Sequence, residues 1–598
     1  MSAHKLGDFK PDVPQDFKVA TTTGVDLDRG DAEMNLTERG KLSEKDYASK
    51  IQDEATLAVF GKKQQLKRRF KSLSSVGLTC GLMLTWEVIL FTLQFGLQNG
   101  GPAGLIYGFL AAWFGSMLQA LVMAEMASMI PLAGGPFNWV AILSPPWCKK
   151  FLSYLAGWLT VICWQAFVAE TCYSVASLIQ GILILNYPEY DPKLWQATLL
   201  FYAIALFGVF INTFLGRLLP RIEAMMLILY ILGFFGVLIP LVYLSPHAPA
   251  EKVFTTFQNL GGWDTQGLSF FVGWITSVSS FVGNDGADHI AEEINQASEV
   301  IPFSIWFSTL FNGALGFSMM IAVLFSIQDI VAATETATGF PFMEIFQTAL
   351  GSTSGANALC KRLLRQQCHN WSVPYLVGLF QREWTTLLSS SSQGDKNGPI
   401  NSMVLELTMS IQVDPKTRLP INAVIGTLIV NVLLALISVG STTAFGAFYS
   451  VVLAAYQSSF LLAATVMLIK RLSTPTTEMP WGPFRLRKLG IPITIVAIIY
   501  TVMAFFFSFW PAFSTVDAAN MNWSYTKNPD PRPITTSSKI LPSNQRDPQQ
   551  YAQSTNFTRQ LQVPSHPYLQ RITYPARMAT AYLVYQQLGT GQSTLDPK

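Results

Sequence analysis

Ten stretches of about twenty mostly apolar residues recur along this chain, and no other feature restricts its fold as tightly. They lie near 74–97, 103–128, 151–184, 195–214, 222–244, 267–287, 302–327, 420–439, 443–470 and 490–513. Each is long enough to cross the hydrocarbon core of a bilayer as one helix. Lipid offers the backbone no hydrogen-bond partners, so each crossing must satisfy its own amides. An all-α polytopic membrane protein is therefore expected. Composition agrees: half of the 598 residues are hydrophobic and 13% are charged, against roughly 25% charged in soluble domains.

Charge sets the expected orientation. GKKQQLKRRFK, Gly61 to Lys71, precedes the first run, and Lys and Arg concentrate on the cytoplasmic side of membrane proteins. The N-terminus is then cytoplasmic, with residues 1–72 a flexible polar tail and 73–359 carrying spans one to seven. Lys149, Lys150, Arg217 and Arg221 fall on the same side, and the loop Tyr187 to Lys193 falls opposite. The alternation fails after span seven. Span nine begins at Pro420, directly after Asp414 to Arg418, so one crossing is missing between about 330 and 413. The only segment to supply it, Ser372 to Leu388, carries Gln381, Arg382 and Glu383 at its centre. A charge there costs about 2.5–3.5 kcal/mol on an insertion scale. Residues 360–412 are set apart as aberrant, 413–524 hold spans nine to eleven, and 525–598 read as a polar, disordered tail.

The net charge of +3 leaves no basic face for nucleic acid. The six cysteines follow neither a disulfide nor a zinc spacing. No nucleophile–base pair or metal triad points to an enzyme.

Four segments resemble one family. EMASMIPLAGGPFNWV (Glu125 to Val140), FVGNDGADHIAEEINQASEVIP (Phe281 to Pro302), GLMLTWEVILFTLQFGLQNGGP (Gly81 to Pro102) and VDPKTRLPINAV (Val413 to Val424) are similar to the second, sixth, first and pre-ninth-span motifs of the amino acid–polyamine–organocation superfamily. The third resembles its fungal amino acid, GABA and choline permease branch. The resemblance covers roughly 70–360 and 413–524. It implies a LeuT-like fold of twelve spans in two inverted repeats, with spans one and six broken near mid-membrane. About ten clear spans are present here, with the eighth and twelfth apparently replaced. A shifted reading frame or misplaced splice site would account for both departures, and genuine divergence is the alternative for either.

The resemblance implies secondary active transport of a small nitrogenous solute: an amino acid, GABA, choline or a polyamine. Protons would drive it, and no cofactor is needed. The bilayer is the other partner, at the plasma membrane or a vacuolar or other internal one. A non-transporting, receptor-like or inactive permease descendant is the alternative. Broken helices expose backbone groups that suit small charged solutes. The expected substrate contacts are Thr85, Trp86 and Glu87 in span one, and Phe281, Gly283, Asn284 and Asp285 in span six. Phe281 is expected to close over the solute, and Asp285 to meet its ammonium group.

Carboxylates inside spans are costly and tend to be functional. Glu87, Asp285 and the pH-sensitive His289 are accordingly the coupling candidates. Asp285, Asp288, His289 and Glu292 are spaced for one helical face, but no facing Glu-x-x-His segment completes a metal site. Asp288 to Glu293 are expected to leave the membrane as a solvated helix end.

Overall fold

The computed structural model describes residues 44–60, 64, 68–215, 218–367, 421–440 and 444–515. The chain divides into Met1–Asn528 and Pro529–Lys598, and every described residue belongs to the first unit. The segment Ser372 to Leu388, the loop Asp414 to Arg418 and the tail 525–598 lie outside the described residues.

The described chain is helical, with isolated bridges at Phe70–Ile294 and Asn99–Asn259. The helices are α1 (Glu44–Val59), α2 (Ser72–Met83), α3 (Thr85–Gln98), α4 (Gly101–Met129), α5 (Pro136–Leu143), α6 (Lys149–Asn186), α7 (Leu194–Leu215) and α8 (Leu219–Leu244). After the short helix Ala250–Thr255 come α9 (Gln266–Ser279), α10 (Gly286–His289) and α11 (Ala297–Ser326). Three shorter helices, Ile330–Thr334, Pro341–Leu350 and Thr353–Gln367, lead out of that region. The chain resumes with α12 (Ile421–Gly440), α13 (Ala444–Ser473) and α14 (Gly490–Phe507).

Eight stretches among the described residues are long and apolar enough to cross a membrane. The run expected at 267–287 is not one of them, because its helix stops at Ser279. The run expected at 420–439 forms α12, of which Ile425–Ile437 is the described apolar part. Large apolar side chains stand exposed along these helices, as on Phe114, Leu206, Phe210, Leu232 and Ile499. In a membrane these outward faces meet lipid rather than water.

Two crossings are interrupted. Between α2 and α3 the backbone of Leu84 turns left-handed, at φ 42°, which costs an L-residue roughly 1–2 kcal/mol. Between α9 and α10, Gly283 sits at φ 94°, where glycine carries no penalty. The pieces pair crosswise: α2 packs on α10, and α3 packs on α9. The leading half of each broken crossing thus lies beside the trailing half of the other, so the two run antiparallel. Thr85 ties the breaks together, its hydroxyl donating to the Ser280 carbonyl at 2.7 Å.

Outside this pair, α4 packs along α11, and α6 packs along α13. The Glu125 motif joins α4 to the loop after α13. Glu125 pairs with Arg471 and accepts the Leu486 amide at 2.9 Å. Ser128 accepts the Phe484 amide at 2.9 Å and donates to the Ser298 carbonyl at 2.9 Å.

The expected flexible tail departs from that reading between Glu44 and Val59, which form α1 with Leu57 and Asp53 buried. Downstream residues bind the loop after α10. Gln64 Nε2 donates to the Glu292 carbonyl at 2.9 Å. The Arg69 and Phe70 amides donate to the Glu293 carbonyl at 2.8 and 3.0 Å, and the Asn295 amide donates to Phe70 O at 3.0 Å. Asp53 accepts the Gln296 amide at 2.9 Å and pairs with Arg68 at 3.4 Å. Burial, the larger effect, raises the Asp53 carboxyl above its ordinary value, and Arg68 and the Gln296 amide oppose it.

Candidate functional site

The interruption after Ser279 builds the site. Gly283 lies against the last turn of α2, with the Leu82 backbone 3.3 Å from where a Cβ would stand. Chain direction changes there, and Asn284 and Asp285 follow in a non-helical turn. Asn284 Oδ1 accepts from the Tyr456 hydroxyl, and its Nδ2 donates to Thr309 Oγ1 at 3.4 Å. These contacts hold the turn between α13 and α11.

Asp285 lines a small cavity of about 10 Å³ with Met123, Pro136, Thr160, Cys163, Trp164, Tyr456, Ser459 and Phe460. The carboxylate is 3% exposed. One oxygen, Oδ2, lies 3.3 Å from His289 Nε2. The other, Oδ1, has no hydrogen-bond partner among the described residues. Trp164 stands edge-on to the His289 ring at 4.9 Å and turns an aromatic body to the cavity. A buried carboxylate without a full complement of donors is costly, while aromatic walls attract organic cations. Together they suit an ammonium or quaternary ammonium group.

The expected site residues divide between two places. Asp285, Asn284 and His289 gather at this cavity or its wall. Trp86 and Glu87 do not line it. Trp86 is fully buried against Tyr230 at 5.9 Å and Phe234 at 6.1 Å. Glu87 is fully buried within Coulombic reach of Tyr230. Tyr230 donates to Asn312 Oδ1 at 2.6 Å, and Cys80 Sγ lies 3.4 Å from Ser308 Oγ. Glu87 therefore belongs to a polar pocket among α2, α3, α8 and α11. Phe281 packs on Phe109 at 5.3 Å, inside the apolar core instead of over the cavity.

The solvated helix end expected at Asp288 to Glu293 is corrected. Asp288, His289, Glu292 and Glu293 are 1–4% exposed. Asp288 is covered by the loop before α5, where Gly135 leaves room for it: a Cβ there would stand 3.1 Å from Asp288 Cβ. Glu292 and Glu293 are covered by Gln64, Arg69 and Phe70, whose contacts are described above. The single helical face expected from the spacing is also interrupted. Only Gly286–His289 is α-helical, and Ala291–Glu293 is a 3-10 turn.

Thr160, Cys163, Trp164, Tyr456 and Ser459 were not expected. Thr160, Cys163 and Trp164 recur at helical spacing on α6, and Tyr456 and Ser459 do so on α13. Polar groups sharing one face of an apolar helix carry the signal that finds them.

A buried acidic cavity beside a discontinuous helix, inside a bundle of membrane-length helices, defines a transmembrane transporter. A family model described as amino acid permease matches residues 70–360 and 408–527. The chain belongs to the amino acid permease family. The matched blocks omit 361–407, within the segment that the sequence sets apart. The chain is 31% identical to the choline transporter of Saccharomyces cerevisiae over 466 residues, covering 77% of this chain and 78% of that protein. It is 24% identical to amino-acid permease 2 of Neurospora crassa over 475 residues, covering 78% and 83%. Among solved structures, a manganese transporter of Eremococcus coleocola aligns with a TM-score of 0.43 and 15% identity, covering 73% and 87%.

Proposed function

We propose that this transporter carries a small solute bearing a cationic nitrogen, and that Asp285 is its charged contact. Asp285 Oδ1, buried and without a donor in an aromatic-walled cavity, carries the reading. The likeness to a choline transporter and to amino-acid permeases supports the solute class: choline, GABA, an amino acid or a polyamine. Solute enters between the broken crossings and α6 and α13, and one bundle rocks against the rest. No bond is made or broken in the solute.

Protons drive the cycle in this proposal. Proton binding is assigned to Asp285 and to His289, 3.3 Å away, with Glu87 in the neighbouring pocket as a third group. Gly283 and Asn284 shape the turn that presents Asp285, and Thr85 couples the two breaks. The positive-inside pattern supports a cytoplasmic N-terminus, at the plasma membrane or an internal one.

Uptake of labelled choline, GABA, a neutral amino acid, a basic amino acid and a polyamine by transporter-deficient cells tests the proposal. At least one solute is taken up by the intact chain, and Asp285→Asn strongly lowers that uptake at low solute concentration while protein at the membrane is unchanged. Undiminished uptake by Asp285→Asn contradicts it.

A further inference from the structure

A further carboxylate lies within the membrane-length helices without a role so far. Glu170 sits near the middle of α6, a 38-residue helix, and is half-buried. It contrasts with Glu125, which Arg471 neutralises. Among the described residues, none makes a salt bridge or hydrogen bond to Glu170. An uncompensated acid at that depth usually marks a path for a solute or ion.

Helix register places it relative to the cavity. Thr160 of α6 meets Ser459 of α13 at 2.9 Å. One turn further along α6, and one turn back along α13, Cys163 and Tyr456 line the cavity together. The helices therefore run antiparallel. Two more turns bring Glu170 opposite Tyr449, and these two are in Coulombic reach of each other. Seven residues at 1.5 Å each separate the layers by about 10 Å. Tyr449 in turn donates to Ser279 Oγ at 2.5 Å and Ile275 O at 3.2 Å, closing the upper layer onto α9. Glu170, Tyr449 and Ser279 thus form a tier above Cys163, Tyr456 and Asp285.

Direction follows from charge. Lys149 and Lys150 begin α6, and Lys470 and Arg471 end α13. The upper tier lies on the side of the cavity away from those basic ends, which the positive-inside pattern makes the outer side.

We propose that Glu170 is an outer carboxylate subsite for an organic ammonium ion, holding it about two helical turns before Asp285. The proposal rests on the reading of the Asp285 cavity as the solute site. Solute entering from the outer side meets Glu170 and Tyr449 first, and Asp285 and Tyr456 second. Two acids in series keep a cation attracted along its path, and focused fields of this kind raise cation arrival rates.

The test uses the full chain in intact cells, with every cysteine except Cys163 replaced by serine. The rate of Cys163 modification from outside is measured for (2-trimethylammoniumethyl) methanethiosulfonate, a quaternary ammonium, and for neutral methyl methanethiosulfonate. Glu170→Gln lowers the cation-to-neutral rate ratio by about tenfold, at the low end of such focusing, and Glu170→Asp restores it. The neutral rate confirms in each variant that the fold and the path survive. An unchanged ratio in Glu170→Gln overturns the proposal. Failure of the neutral reagent to reach Cys163 overturns it too, because the path past Glu170 would then be shut. The ratio requires no transport, so it judges Glu170 independently of whether Asp285→Asn stops uptake.

Discussion

The two broken crossings share a construction and differ in what surrounds them. Each is split by one left-handed residue, Leu84 in one and Gly283 in the other. Each has a carboxylate within three residues, Glu87 and Asp285 respectively. Glu87 is fully buried beside Tyr230 and Trp86 and does not line the cavity at Asp285. Asp285 opens onto a cavity because α6 and α13 present Thr160, Cys163, Tyr456 and Ser459 there instead of large aliphatic side chains. A helix break supplies polar backbone. The neighbouring helices decide whether the break opens onto a cavity or stays a buried polar joint.

Substitutions at the two breaks should therefore have unequal effects. Asp285→Asn has the largest: removing a buried charge partner costs about 2–5 kcal/mol, or roughly thirtyfold or more in apparent affinity. Uptake kinetics measure it, and an Asp285→Asn effect no larger than that of Glu87→Gln would remove the distinction between the breaks. Gly283→Ala comes next. It forces an L-residue to φ 94°, 3.3 Å from the Leu82 backbone, at about 1–2 kcal/mol or more. Surface protein measured by a tag falls about tenfold, whereas substitution at Leu84, already a left-handed L-residue, brings no such conformational penalty.

Tyr456→Phe removes the hydroxyl that holds Asn284, a loss of about 1 kcal/mol, or roughly fivefold in apparent affinity. Glu87→Gln is smallest. It changes apparent affinity by less than the tenfold that 1.4 kcal/mol represents, while altering the pH dependence of uptake. A large affinity loss with an unchanged pH profile would move Glu87 into the solute site.

The sequence made the crossings legible because a bilayer demands length and hydrophobicity in each span, and both are local properties. The break in span one was expected from the family resemblance alone, and the residues around it, among them the costly carboxylate Glu87, do not by themselves place it at Leu84. The cavity walls were not. Cys163 reads as a small hydrophobe and Thr160 as an ordinary helix residue until α6 is set against α13. The burial of Glu292 and Glu293 was hidden for a stronger reason. Their cover comes from Gln64, Arg69 and Phe70, more than two hundred residues earlier, and no window of sequence contains both partners. Glu170 was not singled out from the sequence, because its meaning depends on the register that brings Tyr449 opposite it.

The central claim is that solute occupies the cavity at Asp285. It is tested most directly by protecting Cys163, which lines that cavity, in a full chain with no other cysteine. The rate of its modification by neutral methyl methanethiosulfonate is measured with and without a saturating amount of the best-transported solute of the uptake panel. Occupancy of the cavity predicts slower modification in the intact chain and no protection in Asp285→Asn. Equal rates with and without solute in the intact chain would contradict the account.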